Sequence, residues 1–579
     1  MALNLPFGSR LIPLITLLFI SLTLLLLIKP NQNSIHHFKN VTQSPEWYNV
    51  LMKETQGKKI KVGLLNIDEG ADEIDQLHGL VEIVTVRFDH VNKDRQWLDF
   101  FPEWMDEDEI EGPPSCPEIP MPEFEDYHGL DVVVVQVPCK RGSDKEGIRD
   151  VFRLQLNLVA ANLLVRSAGW KNHSNYQWDR TVYAVFIGSC GPMREIFRCD
   201  DLLVHEEEFL VYKPHLRKLT QKVRMPVGTC QIAPPHEEPG EEVGRRAEHS
   251  TANNTDLLKP REAYVTALHS SDTYVCGAIA LAQSLIQTNT TKDLILLADD
   301  YITTRSLQGL RAAGWKIKHI ERIRSPHAKR KIYSEWNYSK LRIWQLTEYD
   351  KIIYIDADLI VLDNIDKFFV YPQLSAAADI DSVFNSGVML VEPSQCTFET
   401  LMEKMFKVAS YDEADQGFLN EMFTWWHRWP SRINHLKIFD RVVDKKHEIP
   451  GNSSVIHYMG LKPWICLADD YDCNWDILGL HRFASDSAHR RWLQVYEAMP
   501  KKLQWYCELT IQEDPHIERI KKWRESYKDG TFFQGTWKIY LLIPLFIFFS
   551  LVVLQREKVI STIAHVLSLA RPYFDKKSN

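Results

Sequence analysis

Apolar and polar positions run in blocks along this chain, and the blocks predict its elements. Leu11 to Ile28 is an uncharged apolar run, long enough to cross roughly 27 Å of hydrocarbon at about 1.5 Å per residue. Residues 29–58 are polar without periodicity, as in a stem. Short apolar runs in "KKIKVGLLNID" from Lys58, "DVVVVQVP" from Asp131 and "RTVYAVFIGSC" from Arg180 predict strands. "VFRLQLNLVAANLLVRSAGW", from Val151, predicts an amphipathic helix. Together they predict a small α/β module over 59–230. The acidic, proline-rich stretch from Glu103 to Asp126 reads as an exposed insertion within it.

Residues 231–258 combine proline, glycine and charge with little to bury, the composition of a linker. A new rhythm follows over 259–535. Strands are predicted in "REAYVTALHS", "KDLILLADD" and "YDKIIYIDADLIVLDN", and helices in "DTYVCGAIALAQSLIQT", "TTRSLQGLRAAGW" and "YSKLRIWQL". The order predicts an α/β fold with a doubly wound, mostly parallel sheet. Such sheets bind ligands at the carboxyl ends of their strands. A second apolar run, Ile539 to Leu554, contains Pro544 and precedes a basic tail over 555–579. It reads either as a second membrane segment or as a buried C-terminal helix. Two spans would leave residues 1–10 and the tail in the cytosol and all between them in a lumen, which suggests a Golgi membrane protein.

Composition narrows this little. A net charge of −9 without a long basic run gives no reason to expect a nucleic-acid partner. No small-x-small motif follows the first apolar run, which favours a retained anchor over a cleaved signal peptide. The ten cysteines lack paired CxxC spacing, so they argue against a zinc module and permit disulfides. N-x-S/T sequons at Asn40, Asn172, Asn253, Asn289, Asn337 and Asn452 fit a lumenal chain.

The candidate chemistry begins at "YIDADLIVLDN", where a buried-looking strand stops at Asp356 and Asp358. Neighbouring carboxylates repel, and burial raises the cost. A divalent cation would relieve it, since both acids offer hard oxygen ligands. A strand or turn cap is the plainer alternative.

Four motifs in order decide more than this triplet. "YIDADLIVLDNID", "FNSGVMLVEPS", "DEADQGFLN" and "HYMGLKPW" give the region from Tyr264 to Trp464 a resemblance to glycosyltransferase family 8, the nucleotide-sugar transferases that include glycogenin. The resemblance implies a GT-A type sheet, a UDP-sugar donor and reaction with retention of anomeric configuration. It implies Mn²⁺ held by Asp356, Asp358 and His457, with Ala357 between the acids. Lys340 would contact the donor, and Tyr274 would stack on uracil beside Val265, Thr266 and Leu268. Asn385, Ser386 and Gly387 would hold the donor sugar, with Asp379 or Asp381 contributing. Asp412, Asp415 and Gln416 would lie nearest the reacting carbon, and Lys462, following Gly460, would meet phosphate. One residue separates that glycine and lysine here, where glycogenin-like members have two.

"KVGLLNIDEG" from Lys61, "CKRGSDKEGIRDVFRLQLNLVAANLLV" from Cys139 and "GLKPWICLADDYDCNWD" from Gly460 extend the resemblance over about 50–530. These stretches are similar to the plant glucuronosyltransferases that decorate xylan. The implied reaction moves α-glucuronic acid from UDP-glucuronate to O-2 of a xylose in the xylan backbone. Arg342 or His269 could then face the glucuronate carboxylate, with a surface role as the plainer reading of either. Trp425, Trp426, Trp429, Trp464, Trp475 and Trp505 are candidate platforms for the glycan, with core packing as the alternative for each. Another UDP-sugar and acceptor, or a non-catalytic scaffold assisting a partner glycan synthase, are the competing readings. Both acids, His457, Asp415 and Gln416 are in place, which argues against the scaffold.

Overall fold

A computed structural model describes most residues between 44 and 513. The main exceptions there are 68–76, 108–114, 139–148, 169–179, 236–259, 440–445 and 467–473, so the middle of the acidic insertion lies outside the described residues. The two apolar terminal runs, over 11–28 and 539–554, lie outside the described residues. Among those described, no helix is long and apolar enough to cross a membrane.

The chain falls into two units. The smaller comprises residues 1–58 and 69–80, with helix α1 (Glu46–Glu54) as its described element. The larger comprises residues 59–68 and 81 onward, and its described residues form three sheets.

The first sheet has the order β2-β1-β3-β4-β6-β5. Its strands are β1 (Lys61–Leu65), β2 (Glu82–Thr85), β3 (Val132–Gln136), β4 (Tyr183–Ile187), β5 (Leu202–His205) and β6 (Phe209–Tyr212). β2, β1, β3 and β4 run parallel, and β6 and β5 complete the edge antiparallel. Helix α2 (Val151–Ser167) packs against it. The expected amphipathic pattern is not what forms, because α2 is buried nearly all round, Gln155 and Asn157 included. Those two amides are tolerated because they bond backbone groups. Gln155 Nε2 donates to Asp89 O and Pro120 O, and Asn157 Oδ1 accepts from Met193 N.

The second sheet, β14-β12-β13-β10-β7-β8-β9, is built from β7 (Glu262–Leu268), β8 (Asp293–Ala298), β9 (Lys316–His319), β10 (Lys351–Ile355), β12 (Ser375–Ala378), β13 (Phe384–Val391) and β14 (His427–Trp429). β10, β7, β8 and β9 are parallel, so their carboxyl ends share one edge. Helix α3 (Val275–Gln287) joins β7 to β8, and α4 (Thr304–Ala313) joins β8 to β9. The boundaries of α4 follow local chemistry. Thr303 caps Ser306 N–H at the start, and Gly314 takes φ +116° at the end. "YSKLRIWQL", expected as an ordinary helix, lies, all but its last residue, within a 3₁₀ helix over Tyr333–Gln345.

β13 reverses direction against both β10 and β12. A small third sheet adds β11 (Leu359–Val361), β15 (His435–Leu436) and β16 (Val455–His457), with β16 antiparallel to β11. These two reversals position the candidate site. The parts carrying the first and second sheets are tied by the Cys199–Cys396 disulfide, the Arg149–Glu421 ion pair and a buried cluster. In that cluster Arg198 and Lys218 both pair with Glu392, and Lys222 Nζ donates to Gln373 O.

Candidate active site

β10 is a buried apolar strand, and it ends where Asp356 turns out of the sheet. Because β13 pairs antiparallel with Ile355 opposite Val388, its first residues lie beside that end. Asp356 N–H donates to Gly387 O at 2.9 Å, which draws Asn385, Ser386 and Gly387 to the acids. The same logic brings in His457. β16 pairs with β11 so that Leu359 lies opposite His457, next to Asp358. Ligand atoms of Asp356, Asp358 and His457 then all lie within 4.8 Å of one another. Backbone pairing alone assembles this set of two carboxylates and one imidazole.

A relay of side chains fixes the imidazole. Asp379 Oδ2 can only accept when ionised, so Asn385 Nδ2 donates to it at 3.3 Å. Asn385 Oδ1 thereby faces its own donors, Gly387 N–H and Asn434 Nδ2, each at 2.8 Å. Asn434 Oδ1 is left to accept from His457 Nδ1 at 3.2 Å. His457 therefore carries a proton at Nδ1, and its Nε2 faces Asp358 Oδ1 at 3.5 Å. Asp379 serves this relay, while its alternative Asp381 lies outside the described residues.

Two lysines balance the acids. Lys340, on the 3₁₀ helix, approaches Asp356 at 3.3 Å and Asp415 at 2.6 Å, and donates to Ser386 Oγ at 3.1 Å. Burial works against its ammonium, but Asp356 and Asp415 outweigh that and push its pKa up to about 12. Lys462 Nζ lies 2.6 Å from Asp358 Oδ2 and donates to Tyr458 O. Despite burial, Lys462 and His457 hold the Asp358 carboxyl well below its usual range. Asp356 goes the other way. Burial raises its pKa more than Lys340 lowers it, and Asp358 adds to the rise. Tyr354 Oη donates to Asp356 Oδ1 at 2.6 Å.

Helix α5 (Asp415–Met422) carries the third acid at its first residue. Ser386 Oγ donates to Asp415 Oδ2 at 2.8 Å, and Gln416 Oε1 accepts from Ser386 N–H. Gln416 Nε2 turns to Asp379 and to Tyr411 Oη. Asp412 takes a different place. Its Oδ1 accepts from Ser410 Oγ, Ala414 N–H and Gly417 N–H, so it shapes the turn into α5. Gly460 has φ +78°, and a Cβ there would meet Phe483 and Asn474.

Val265, Thr266 and Leu268 are buried in β7, and Ala357 is buried in the turn between the acids. Tyr274 is 38% exposed, with Trp464 at 5.7 Å and Lys462 Nζ 5.9 Å from its ring. Burial pushes His269 down to about 4, a shift felt also from Asp299, Asp415, Lys340 and Arg322. Arg342 turns to Glu321 O and Gln345. Trp425, Trp426, Trp429 and Trp464 are buried, which makes them core, and Trp475 packs tilted against His447 and edge-on to His481. Trp505 is half exposed. Asn434 and Tyr411 carry no motif, and no sequence signal points to either.

Comparison with known proteins matches this organisation. The GUX1-5 N-terminal domain family matches residues 36–230, and glycosyl transferase family 8 matches 265–378 and 372–467. The chain is 51% identical to an Arabidopsis thaliana protein provisionally named UDP-glucuronate:xylan alpha-glucuronosyltransferase 5, over 87% of this chain and 89% of that one. It is 45% identical to the Arabidopsis thaliana UDP-glucuronate:xylan alpha-glucuronosyltransferase 2, over 82% of this chain and 79% of that one. Human glycogenin-1 is 31% identical over 35% of this chain and 62% of its own length.

Proposed function

We propose a function from one premise: the chain belongs to glycosyltransferase family 8 and, within it, to the xylan α-glucuronosyltransferase group. It transfers α-glucuronic acid from UDP-glucuronate to O-2 of a xylose in the xylan backbone, with the anomeric configuration retained. The bond from the sugar's C1 to the diphosphate breaks, the bond from C1 to the xylose O-2 forms, and UDP and the hydroxyl proton are released.

The second sheet is read as a GT-A type scaffold, with its parallel edge holding the nucleotide. Asp356, Asp358 and His457 fit Mn²⁺, since two hard carboxylates and an imidazole whose Nε2 faces them suit that ion. When bound, it offsets negative charge on the departing diphosphate. Lys340 and Lys462 bring two further positive charges to the same strand end. Asn385, Ser386 and Gly387 line the place for the donor sugar. Asp415 and Gln416 supply oxygens that stabilise an oxocarbenium-like transition state. Tyr411, 56% exposed and hydrogen-bonded to Gln416, is a stacking surface for the acceptor in place of the buried tryptophans.

The same reading places the protein in the Golgi membrane with its catalytic part lumenal, anchored through the terminal apolar runs and open to partner glycan synthases. Disulfides Cys116–Cys230, Cys199–Cys396 and Cys276–Cys507 support an oxidising compartment. The observation that carries the proposal is the convergence of Asp356, Asp358 and His457 beside the Lys340–Asp415 pair.

The test is the purified full-length protein in detergent, given xylo-oligosaccharide, Mn²⁺ and each UDP-sugar in turn, with products weighed by mass spectrometry. The expected product carries one hexuronic acid from UDP-glucuronate alone and is lost on chelation or in Asp358→Ala. Transfer from another donor would replace the substrate, and a folded protein inert with every donor would favour the scaffold.

A further inference from the structure

The donor read above carries a carboxylate where UDP-glucose carries a hydroxymethyl group. A site that prefers it requires a cation to spare. Lys340 and Lys462 are each committed to the acids of the metal site. His269 is held neutral by burial, and Arg342 is turned to Glu321 O and Gln345. Among the described residues, Arg324 beyond β9 is bonded to Glu335, and Arg322 is a further guanidinium at this edge of the sheet.

Arg322 follows β9, and its surroundings come from the carboxyl ends of the neighbouring parallel strands. Ser270 follows β7, and Asp299 and Tyr301 follow β8. Its guanidinium carbon lies 3.7 Å from the Tyr301 ring centroid and 3.9 Å from that of Trp336, which shares the 3₁₀ helix with Lys340. Aromatic rings over a guanidinium attract it and leave its N–H groups to bond in the plane. In-plane donors are what a planar carboxylate accepts.

Its other partners are weak. Asp299 stands 4.0 Å away, beyond hydrogen-bond length, and already accepts Ser270 N–H and Tyr301 N–H at 2.9 Å each. Nη1 reaches Ser270 Oγ at 3.4 Å, and that hydroxyl is 3.0 Å from His269 Nδ1. Through Ser270, Arg322 is linked to His269, which follows β7 at the same carboxyl edge of the sheet. The Arg322 side chain keeps 19% of its surface exposed, so it is not sealed from a ligand.

We propose that Arg322, clamped between Tyr301 and Trp336, receives the carboxylate of the donor's uronic acid and sets the preference for it over a neutral hexose. This rests on the reading of UDP-glucuronate as donor.

Equilibrium binding of UDP, UDP-glucose and UDP-glucuronate to the full-length protein with Mn²⁺, and to Arg322→Gln and Arg322→Lys, tests it. The native protein is expected to bind UDP-glucuronate at least about tenfold more tightly than UDP-glucose. Arg322→Gln should weaken UDP-glucuronate about 10- to 100-fold and leave UDP and UDP-glucose within about twofold, which a folding defect would not do. Arg322→Lys, which keeps a charge but loses the planar fork, should fall between them. A native preference that survives in both variants overturns the role of Arg322 and leaves the donor reading intact. Equal losses for all three ligands overturn it too, placing Arg322 at the nucleoside end. A native protein without the preference overturns the donor reading and this proposal together.

Discussion

Asn434 Oδ1 lies 3.2 Å from His457 Nδ1, and this contact decides which imidazole nitrogen can bind a metal. Asn434 is itself oriented through Asn385 by Asp379, so a carboxylate orients the imidazole through two intervening amides. Groups that hold a metal-binding histidine this way commonly contribute about 10–100-fold to metal affinity. Asn434→Ala should therefore weaken Mn²⁺ binding by that factor in a calorimetric titration with UDP present. Asn434→Asp, which still accepts from Nδ1, should retain most of it. The ¹⁵N shifts of His457 should show mixed tautomers in the alanine variant alone.

Lys340 is a buried cation shared by two carboxylates, Asp356 and Asp415. Removing one partner of a buried ion pair typically costs about 3–5 kcal/mol, because the remaining charge is left uncompensated. Lys340→Met should destabilise the protein by about that amount at pH 7 in urea unfolding. The deficit should shrink toward pH 4, because Asp356 already titrates above its ordinary value and protonation relieves it. Transfer activity should be lost at any pH.

Lys222 is buried between Gln373 O and His427 Nε2, each 2.9 Å away, and burial lowers its pKa to about 7 from 10.5. Between those values the unfolded chain binds a proton that the folded chain does not. Stability therefore rises with pH across this window, by up to about 1.4 kcal/mol per unit from this group. Below about pH 7 both states are charged and its contribution stops changing. Thermal unfolding of Lys222→Met between pH 7 and 10 should show a flatter profile than the native protein.

Tyr411 is the exposed aromatic hydrogen-bonded to Gln416. If it stacks on the acceptor, Tyr411→Ala should raise KM for xylo-oligosaccharide about tenfold and leave KM for the donor within twofold. Tyr411→Phe keeps the ring and loses only the hydroxyl contact, so it should stay near the native value. A matching rise in donor KM for Tyr411→Ala would instead place the ring in the donor pocket.

Local chemistry made much of this protein legible before folding. The acids of "DAD" end a buried apolar run because a strand needs the run and a ligand site needs its end. Thr303 and Gly314 bracket α4 through capping alone. The α/β alternation follows from periodicity, and the motif residues Asp356, Asp358, Asn385, Asp415 and His457 stand out by type and order.

Tertiary structure decided which of them meet. Lys462 and Asp358 lie 104 residues apart, and no local period specifies that they touch. The antiparallel registers of β13 and β16 do so, because a fixed pairing sets which side chain faces the end of β10. The same global packing separated neighbours that look alike in sequence. Asp412 closes a turn while Asp415, three residues on, reaches Lys340. The tryptophans of "FTWWHRWP" went to the core because burying large apolar surface outweighs leaving it for a glycan. Asn434 was invisible for a plainer reason. An amide's role lies in what it is bonded to, and only the folded chain supplies those partners.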